Sequence, residues 1–327
     1  MSLKIGINGF GRIGKLVHRV LTERNIHTFK INDPFLNLEF AKYAMYYDST
    51  HGRSNFKIEV NEDLLYVNDK EIKVSYERDP EKIDWEDCDV VIEASGVFTT
   101  KEKCQGHLKT AKKVLITAPS ADCPMFVYGV NHTKYNNEEI FSNASCTTNC
   151  LAPLAKLIHE KFGIQEGLMT TVHSVTNSQS TLDIYKSKFR SGRSSQNIIP
   201  ASTGAAKAVT KVIPELQGKI NGMAFRVPVQ NVSVVDFVVK TQKETSLEEI
   251  LEKVKEAAKG DLKGVMCYTT DEVVSSDYNG CSLSCVFDYK ASMQINSTFF
   301  KLIAWYDNEY GYSCRVVDLI KYVCGEN

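Results

Sequence analysis

The chain has 327 residues, enough for two domains with sizeable cores. Lys and Arg total 39 against 40 Asp and Glu, a formal charge of −1, so the basic excess that drives nucleic-acid or membrane-surface binding is missing. Hydrophobic residues at 43% and charged residues at 24% fit a globular protein and exclude a disordered or collagen-like chain.

The opening stretch, Met1 to Gly9, carries no apolar signal segment, and no apolar run approaches the roughly 18 residues of a membrane span. With ten cysteines in so long a chain, a secreted disulfide scaffold does not fit. The expectation is a cytoplasmic protein with free thiols and with neither a membrane nor a nucleic-acid partner. No Cys-x-x-Cys or His-Glu-x-x-His pattern occurs, so no metal site is expected.

Leu3 to Asn8 reads as a strand, and Ile13, Leu16, Val17, Val20 and Leu21 mark one face of the helix after it. Thr28 to Asn32 is a second strand. Asp89 to Ala94 and Lys113 to Thr117 are short apolar runs of the kind buried on both faces. This alternation means βαβ units and a parallel sheet. Further on the texture changes. Ala224 to Lys240 and Cys285 to Tyr306 are long β-branched and aromatic runs with partial alternation, typical of antiparallel strands. Between them Ser246-Leu-Glu-Glu249 is a capping box that opens a helix to about Lys259. The change of texture places a domain boundary near residue 147, dividing a parallel-sheet α/β domain over 1–147 from an α+β domain with a mainly antiparallel sheet over 148–310.

Gly9-Phe-Gly11-Arg-Ile-Gly14 joins the first strand to the first helix, and Asp33 ends the next strand. In that context G-x-G-x-x-G describes a Rossmann-type dinucleotide loop. Its first glycine makes the tight turn, its second admits the pyrophosphate, and its third brings helix and sheet together. Asp33 is placed to accept ribose hydroxyls and to repel a 2′-phosphate, which favours NAD over NADP.

Cys146 lies just ahead of the amphipathic stretch Leu154 to Phe162. At a helix N-terminus a thiol is expected to have its pKa lowered toward neutrality by the macrodipole and the unpaired N–H groups. Cys150, one turn further on, reads as a small buried hydrophobe. Among seven histidines, His173 in the strand-like run Thr170 to Thr176 is the best partner for the thiol. A lone strand histidine is more often structural, and both readings stand at this point.

These residues resemble those of phosphorylating glyceraldehyde-3-phosphate dehydrogenases. The matching strings are Ile7–Gly14, Ala144–Pro153, Asn197–Val209, Met223–Pro228 and Trp305–Ser313, spread over essentially the whole chain. The resemblance implies that Cys146 is the nucleophile and His173 its activator. It implies that Gly9, Gly11, Arg12, Ile13 and Gly14 form the pyrophosphate loop and that Asp33 binds ribose. Arg78 would lie near the adenine, Thr117 on the nicotinamide side, and Asn308 on the nicotinamide carboxamide. Thr176 and Arg226 would clamp the substrate's phosphate. Ser145, Thr147, Thr203 and Gly204 would receive inorganic phosphate. It further implies glyceraldehyde 3-phosphate as substrate, NAD as cofactor, a homotetramer, and a C-terminal helix (about 311–327) packed back on the cofactor domain.

One stretch departs from the family pattern. Where the family has Thr-Gln-Lys-Thr, then Asp-Gly-Pro and a Trp, this chain has Ser178-Gln-Ser180-Thr, then Asp183-Ile-Tyr185 and Phe189, with one residue fewer. None of the named catalytic groups is removed, so the departure bears on subunit packing. Two other readings are weighed: a related aldehyde dehydrogenase that hydrolyses its thioester, and a nucleotide-binding protein without catalysis. The phosphate-site strings argue against the first, and the retention of Cys146, His173 and Arg226 argues against the second.

Overall fold

The computed structural model describes residues 3–61, 64–177, 179–183, 190 and 193–325. The chain divides into two compact units. One comprises the chain up to Phe126, Lys134–Ala144 and the chain from Ser313 on; the other comprises Val127–Thr133 and Ser145–Tyr312.

The first unit is built on eight strands: β1 (Ile5–Asn8), β2 (Thr28–Asn32), β3 (Ile58–Asn61), β4 (Leu64–Val67), β5 (Lys70–Ser75), β6 (Val90–Glu93), β7 (Val114–Ile116) and β8 (Ile140–Ser142). They form one sheet in the order β3-β4-β5-β2-β1-β6-β7-β8. From β5 to β8 every pairing is parallel, while β3, β4 and β5 form an antiparallel edge. Strands β1, β6, β7 and β8 are buried along their whole length, as expected for strands covered on both faces.

Helix α1 (Arg12–Glu23) carries β1 to β2 and buries Leu16, Val17, Val20 and Leu21 on one face. It ends in a Schellman arrangement. Asn25 adopts φ 59°, Ile26 N donates to Leu21 O at 2.8 Å, and Asn25 N donates to Thr22 O at 3.0 Å. Two shorter helices, α2 (Leu38–Tyr46) and α3 (Lys101–Cys104), complete the segment before β7.

The second unit opens with α4 (Cys146–Phe162) and runs through β9 (Ile164–His173), β10 (Ile199–Ser202), α5 (Ala205–Val212), β11 (Ile220–Arg226), β12 (Ser233–Thr241), α6 (Leu247–Lys259), β13 (Met266–Thr269), β14 (Cys285–Asn296) and β15 (Phe299–Tyr306). The seven-stranded sheet has the order β10-β11-β9-β12-β15-β14-β13. Helix α4 packs on β12, β14 and β15, and α5 on β11. Alternate residues of β9 and β12, such as Met169, Thr171, Val235 and Phe237, face that core. The last helix, α7 (Tyr310–Val323), lies from Ser313 onward in the first unit, where Asp318 pairs with Arg24 at 2.5 Å.

The sheet is mainly antiparallel, with two exceptions. The run from Ala224 to Lys240 spans the end of β11 and most of β12, and β11 lies parallel to β9; β13 likewise runs parallel to β14. The connection to β11 runs through α5 and that to β14 through residues 270–284, and local alternation carries no trace of these parallel pairings. The capping box at Ser246 is half formed. Its hydroxyl accepts Glu249 N, but the Glu249 carboxylate takes the Thr245 hydroxyl at 2.7 Å instead of reaching back to the cap.

Phe237 is fully buried at the centre of the second sheet. Phe237→Ala should destabilise the fold by about 3–5 kcal/mol. An unchanged thermal midpoint would contradict this placement of the core.

Candidate active site

The N-terminus of α4 is shaped by two residues. Ala144 has φ 55°, a left-handed conformation that costs a non-glycine residue roughly 1 kcal/mol, and its N–H donates to Ser142 Oγ at 2.9 Å. Ser145 then returns to extended backbone as the N-cap. Its Oγ accepts Thr148 N at 3.1 Å and shares a 2.7 Å hydrogen bond with the Thr148 hydroxyl. Cys146 is therefore the first residue of the helix and is half-buried.

His173 is the last residue of β9 and is 4% exposed. Its Nε2 lies 3.5 Å from Cys146 Sγ. Arg226, its register partner on β11, comes alongside with Nη1 2.6 Å from His173 Nδ1 and 3.2 Å from the Ser174 carbonyl. Nδ1 also lies 2.8 Å from that carbonyl. Arg226 can only donate, so Nδ1 accepts from it when the ring proton is on Nε2. When the proton is on Nδ1 it goes to Ser174 O, which Arg226 shares, and the Nε2 lone pair faces the thiol. The strand histidine is thus aimed at the thiol.

The electrostatics differ from the sequence expectation. Burial, reinforced by Arg226, brings His173 down to about 4, so it is uncharged at neutral pH. Burial also pushes the Cys146 thiol up, and the opposing pull of Arg226 and the Thr147 N–H does not overcome it. The helix N-terminus therefore does not bring the thiol toward neutrality in this protein. The resting pair is a thiol beside an imidazole base.

Tyr306, not identified from sequence, organises the surroundings. Its hydroxyl joins Thr147 Oγ1 at 2.8 Å to Thr171 Oγ1 at 2.9 Å, and its ring stands edge-on to His173 at 6.1 Å. It lies inside the Trp305–Ser313 string, but no spacing rule marks it. Asn308 follows closely. Its Oδ1 accepts the hydroxyls of Ser174 at 2.9 Å and Ser233 at 2.8 Å, which fixes the amide and leaves Nδ2 as the donor end. Thr203 Oγ1 accepts Ala205 N at 3.2 Å beside Gly204, the N-cap of α5, a helix that packs on α4. Thr176, three residues past His173, is held through its N–H by Gln179 Oε1 at 3.2 Å. Of the divergent stretch, Ser178, Tyr185 and Phe189 lie outside the described residues.

The first unit brings together the other expected residues. Gly9 has φ 89°, and a Cβ at Gly14 would stand 2.0 Å from Gly9 O, so both positions demand glycine. A Cβ at Gly11 would meet nothing within 4 Å, leaving open space at the start of α1, which has no side-chain cap. Ile13 follows in the first turn. Asp33 accepts Phe10 N at 2.8 Å on one oxygen and Phe35 N at 2.9 Å on the other, and each oxygen retains a lone pair. The Arg78 guanidinium lies 5.0 Å over the Phe35 ring. Thr117 donates its hydroxyl to Glu93 O at 3.1 Å.

Arg12 opens α1 directly after Gly11. Its Nη1 pairs with Asp48. Burial alone would raise the Asp48 carboxyl, but Arg12 and the N–H groups of His51 and Thr50 bring it down to about 2. A glycine loop with open space at its helix start, beside a carboxylate with free lone pairs, fits a dinucleotide. Among the described residues no helix is long and apolar enough to cross a membrane.

In the ligand-free protein, iodoacetamide modification of Cys146, followed by peptide mass spectrometry, should keep rising with pH past 8. Arg226→Ala should move that rise to higher pH. A plateau reached by pH 6 would show a resting thiolate instead.

Comparison with known proteins agrees with this geometry. A family model described as the glyceraldehyde 3-phosphate dehydrogenase NAD binding domain matches residues 3–101, and one described as the C-terminal domain matches 145–308. A glyceraldehyde-3-phosphate dehydrogenase of Podospora anserina is 55% identical over 330 residues, covering 99% of this chain and 98% of its own. Glyceraldehyde-3-phosphate dehydrogenase B of Aspergillus oryzae is 52% identical over 329 residues, with 99% and 98% covered. A chloroplastic glyceraldehyde-3-phosphate dehydrogenase of Arabidopsis thaliana is 55% identical over 330 residues, covering 98% of this chain and 78% of its own. The chain belongs to the glyceraldehyde-3-phosphate dehydrogenase family and is an NAD-dependent oxidoreductase.

Proposed function

We propose that the protein oxidises D-glyceraldehyde 3-phosphate, with NAD and inorganic phosphate, to 1,3-bisphosphoglycerate and NADH in glycolysis. The observation that carries this reading is the 3.5 Å approach of Cys146 Sγ to His173 Nε2 with Arg226 alongside. His173 takes the thiol proton as sulfur adds to the aldehyde carbon. The resulting hemithioacetal oxyanion lies at the start of α4, where the Cys146 N–H and the protonated His173 are its donors. NAD, held by the Gly9–Gly14 loop, would supply the hydride acceptor for that carbon, and loss of the hydride would leave the carbonyl carbon on Cys146 as a thioester. An oxygen of inorganic phosphate then attacks the thioester carbonyl, and sulfur departs as thiolate.

Two anion subsites are needed, and we assign them by chemistry. Arg226 offers a planar fork for the substrate's phosphate, with Thr176 beside it. Inorganic phosphate goes to Ser145, Thr147, Thr203 and Gly204. Thr203 accepts a helix N–H, so its own O–H is available to donate. Gly9, Gly11, Arg12, Ile13 and Gly14 are assigned to the pyrophosphate, Asp33 to ribose, Arg78 to the adenine end, and Thr117 and Asn308 to the nicotinamide end. Cofactor binding is assigned to residues 1–147 and catalysis to 148–310. The Arg24–Asp318 pair supports a C-terminal helix returning to the cofactor part.

A homotetramer in the cytoplasm completes the proposal. Among the described residues no cysteine is in a disulfide, which suits a reducing compartment. The outward face of the second sheet carries apolar side chains, with Leu168 65% and Met223 37% exposed, where an isolated sheet would present polar ones.

NADH formation from glyceraldehyde 3-phosphate should require phosphate or arsenate, and Cys146→Ala should abolish it. Equal rates without either anion would point to thioester hydrolysis instead. His173→Asn should lower kcat by roughly 10²–10⁴-fold. NAD should be preferred over NADP by at least about tenfold, and Asp33→Ala should narrow the ratio. Comparable kcat/KM with both cofactors would remove Asp33 from this role.

A further inference from the structure

The order of the first sheet reverses between β1 and β6, and in open parallel sheets that is where ligands sit, outside the carboxyl ends of the strands. The last residues of these two strands, Asn8 and Glu93, are register partners across the reversal. Both are buried, at 3% and 2% exposed. Asn8 Nδ2 donates to Glu93 Oε2 at 2.5 Å. His107 Nε2 reaches the same oxygen at 3.1 Å. Trp85 Nε1 donates to His107 Nδ1 at 3.0 Å, so the imidazole proton lies on Nε2 and points at Glu93. Oε1 accepts both the N–H of Ser95, at 2.9 Å, and its hydroxyl. One carboxylate thus gathers four donors.

The same chain of hydrogen bonds runs the other way. Asn32 Nδ2 donates to Asn8 Oδ1 at 2.8 Å, and Asn32 Oδ1 accepts Glu77 N and the Ser75 hydroxyl, each at 2.9 Å. The ends of β5, β2, β1 and β6 are therefore tied together by side chains as well as by the ladder. Burying a carboxylate in this way is costly unless every donor is supplied, and apolar residues would hold four strands together without that cost. The position of the network accounts for it. Gly9 lies between its two arms: Gly9 N donates to Asn32 O at 2.8 Å, and a Cβ on Gly9 would stand 2.5 Å from Ser95 N. Glu93 sets Ser95 directly and Asn32 through Asn8.

We propose that Glu93 is the positioning residue of the cofactor loop, fixing through Ser95 and Asn8 the two walls between which the Gly9 turn is held for the NAD pyrophosphate. The inference rests on the reading of Gly9–Gly14 as the dinucleotide loop. Glu93→Gln keeps the size of the side chain but turns an NH₂ against donors on one of its two sides. It should weaken NAD and ADP-ribose by about tenfold, both in KM and in direct titration, because donors at the network's centre lose their acceptor. KM for glyceraldehyde 3-phosphate at saturating NAD, and kcat per titrated Cys146, should stay within about threefold, since those groups lie in the other unit. A purely structural role would instead lower the fraction of active protein and leave KM for NAD alone.

Ser95→Ala, at an exposed position, keeps the fold and removes one of the four donors. It should raise KM for NAD by about threefold. Gly11→Val provides the control, because its side chain would fill the open space at the start of α1. If Gly11→Val leaves NAD affinity unchanged, the loop reading fails. If Gly11→Val weakens NAD while either Glu93→Gln or Ser95→Ala binds it like the wild type, the proposal for Glu93 is overturned.

Discussion

An imidazole kept uncharged beside an arginine governs how this site works. His173 is buried at the end of β9, and Arg226 lies beside it because the two are register partners on parallel strands. Burial and the guanidinium act in the same direction on His173, so it is uncharged at neutral pH. They act in opposite directions on Cys146, where burial prevails and keeps the proton on sulfur. In the proposed reaction that proton passes to His173 Nε2 as sulfur adds to the aldehyde. On that reading no reactive thiolate is exposed between turnovers.

The parts of the protein most legible in the sequence are those in which a single segment specifies its own conformation. The β1–α1–β2 segment is one, because Gly9, Gly14 and the Leu16–Leu21 stripe each meet a local requirement of backbone or burial. The start of α4 is another, since Ser145 caps it through its own hydroxyl and so places Cys146. What stayed hidden depends on residues far apart in the chain. Tyr306 touches Thr147 across 159 positions, and Glu93 meets Asn8 across 85. Nothing in local periodicity encodes such contacts. The parallel pairing of β11 with β9 was invisible for the same reason.

The cysteines show how structure resolves a question that composition only raises. Cys88, Cys104, Cys123, Cys150, Cys285 and Cys314 are buried. Burial pushes Cys88, Cys104 and Cys267 up to about 12 and Cys314 to about 11. Their protons are held too firmly for them to act as nucleophiles, and they pack as small apolar residues. Cys150 fits this description closely, with its sulfur against Ala304 O at 3.9 Å beneath the first turn of α4. The abundance of thiols is thus mainly a feature of the core. Cys146 differs in standing next to a base.

The left-handed Ala144 carries a consequence for which sequences can occupy that position. Between Ser142 at the end of β8 and the Ser145 cap the chain passes through this one left-handed residue, and its side chain is fully buried. Glycine would adopt the conformation freely but would let the turn wander in the unfolded and folded chain alike, whereas a β-branched residue would resist it. Alanine keeps the turn stiff with the smallest steric conflict an L-residue can have. Variation at this position is therefore confined to a short list of side chains by backbone geometry alone, whatever substrate selection acts on the thiol two residues later.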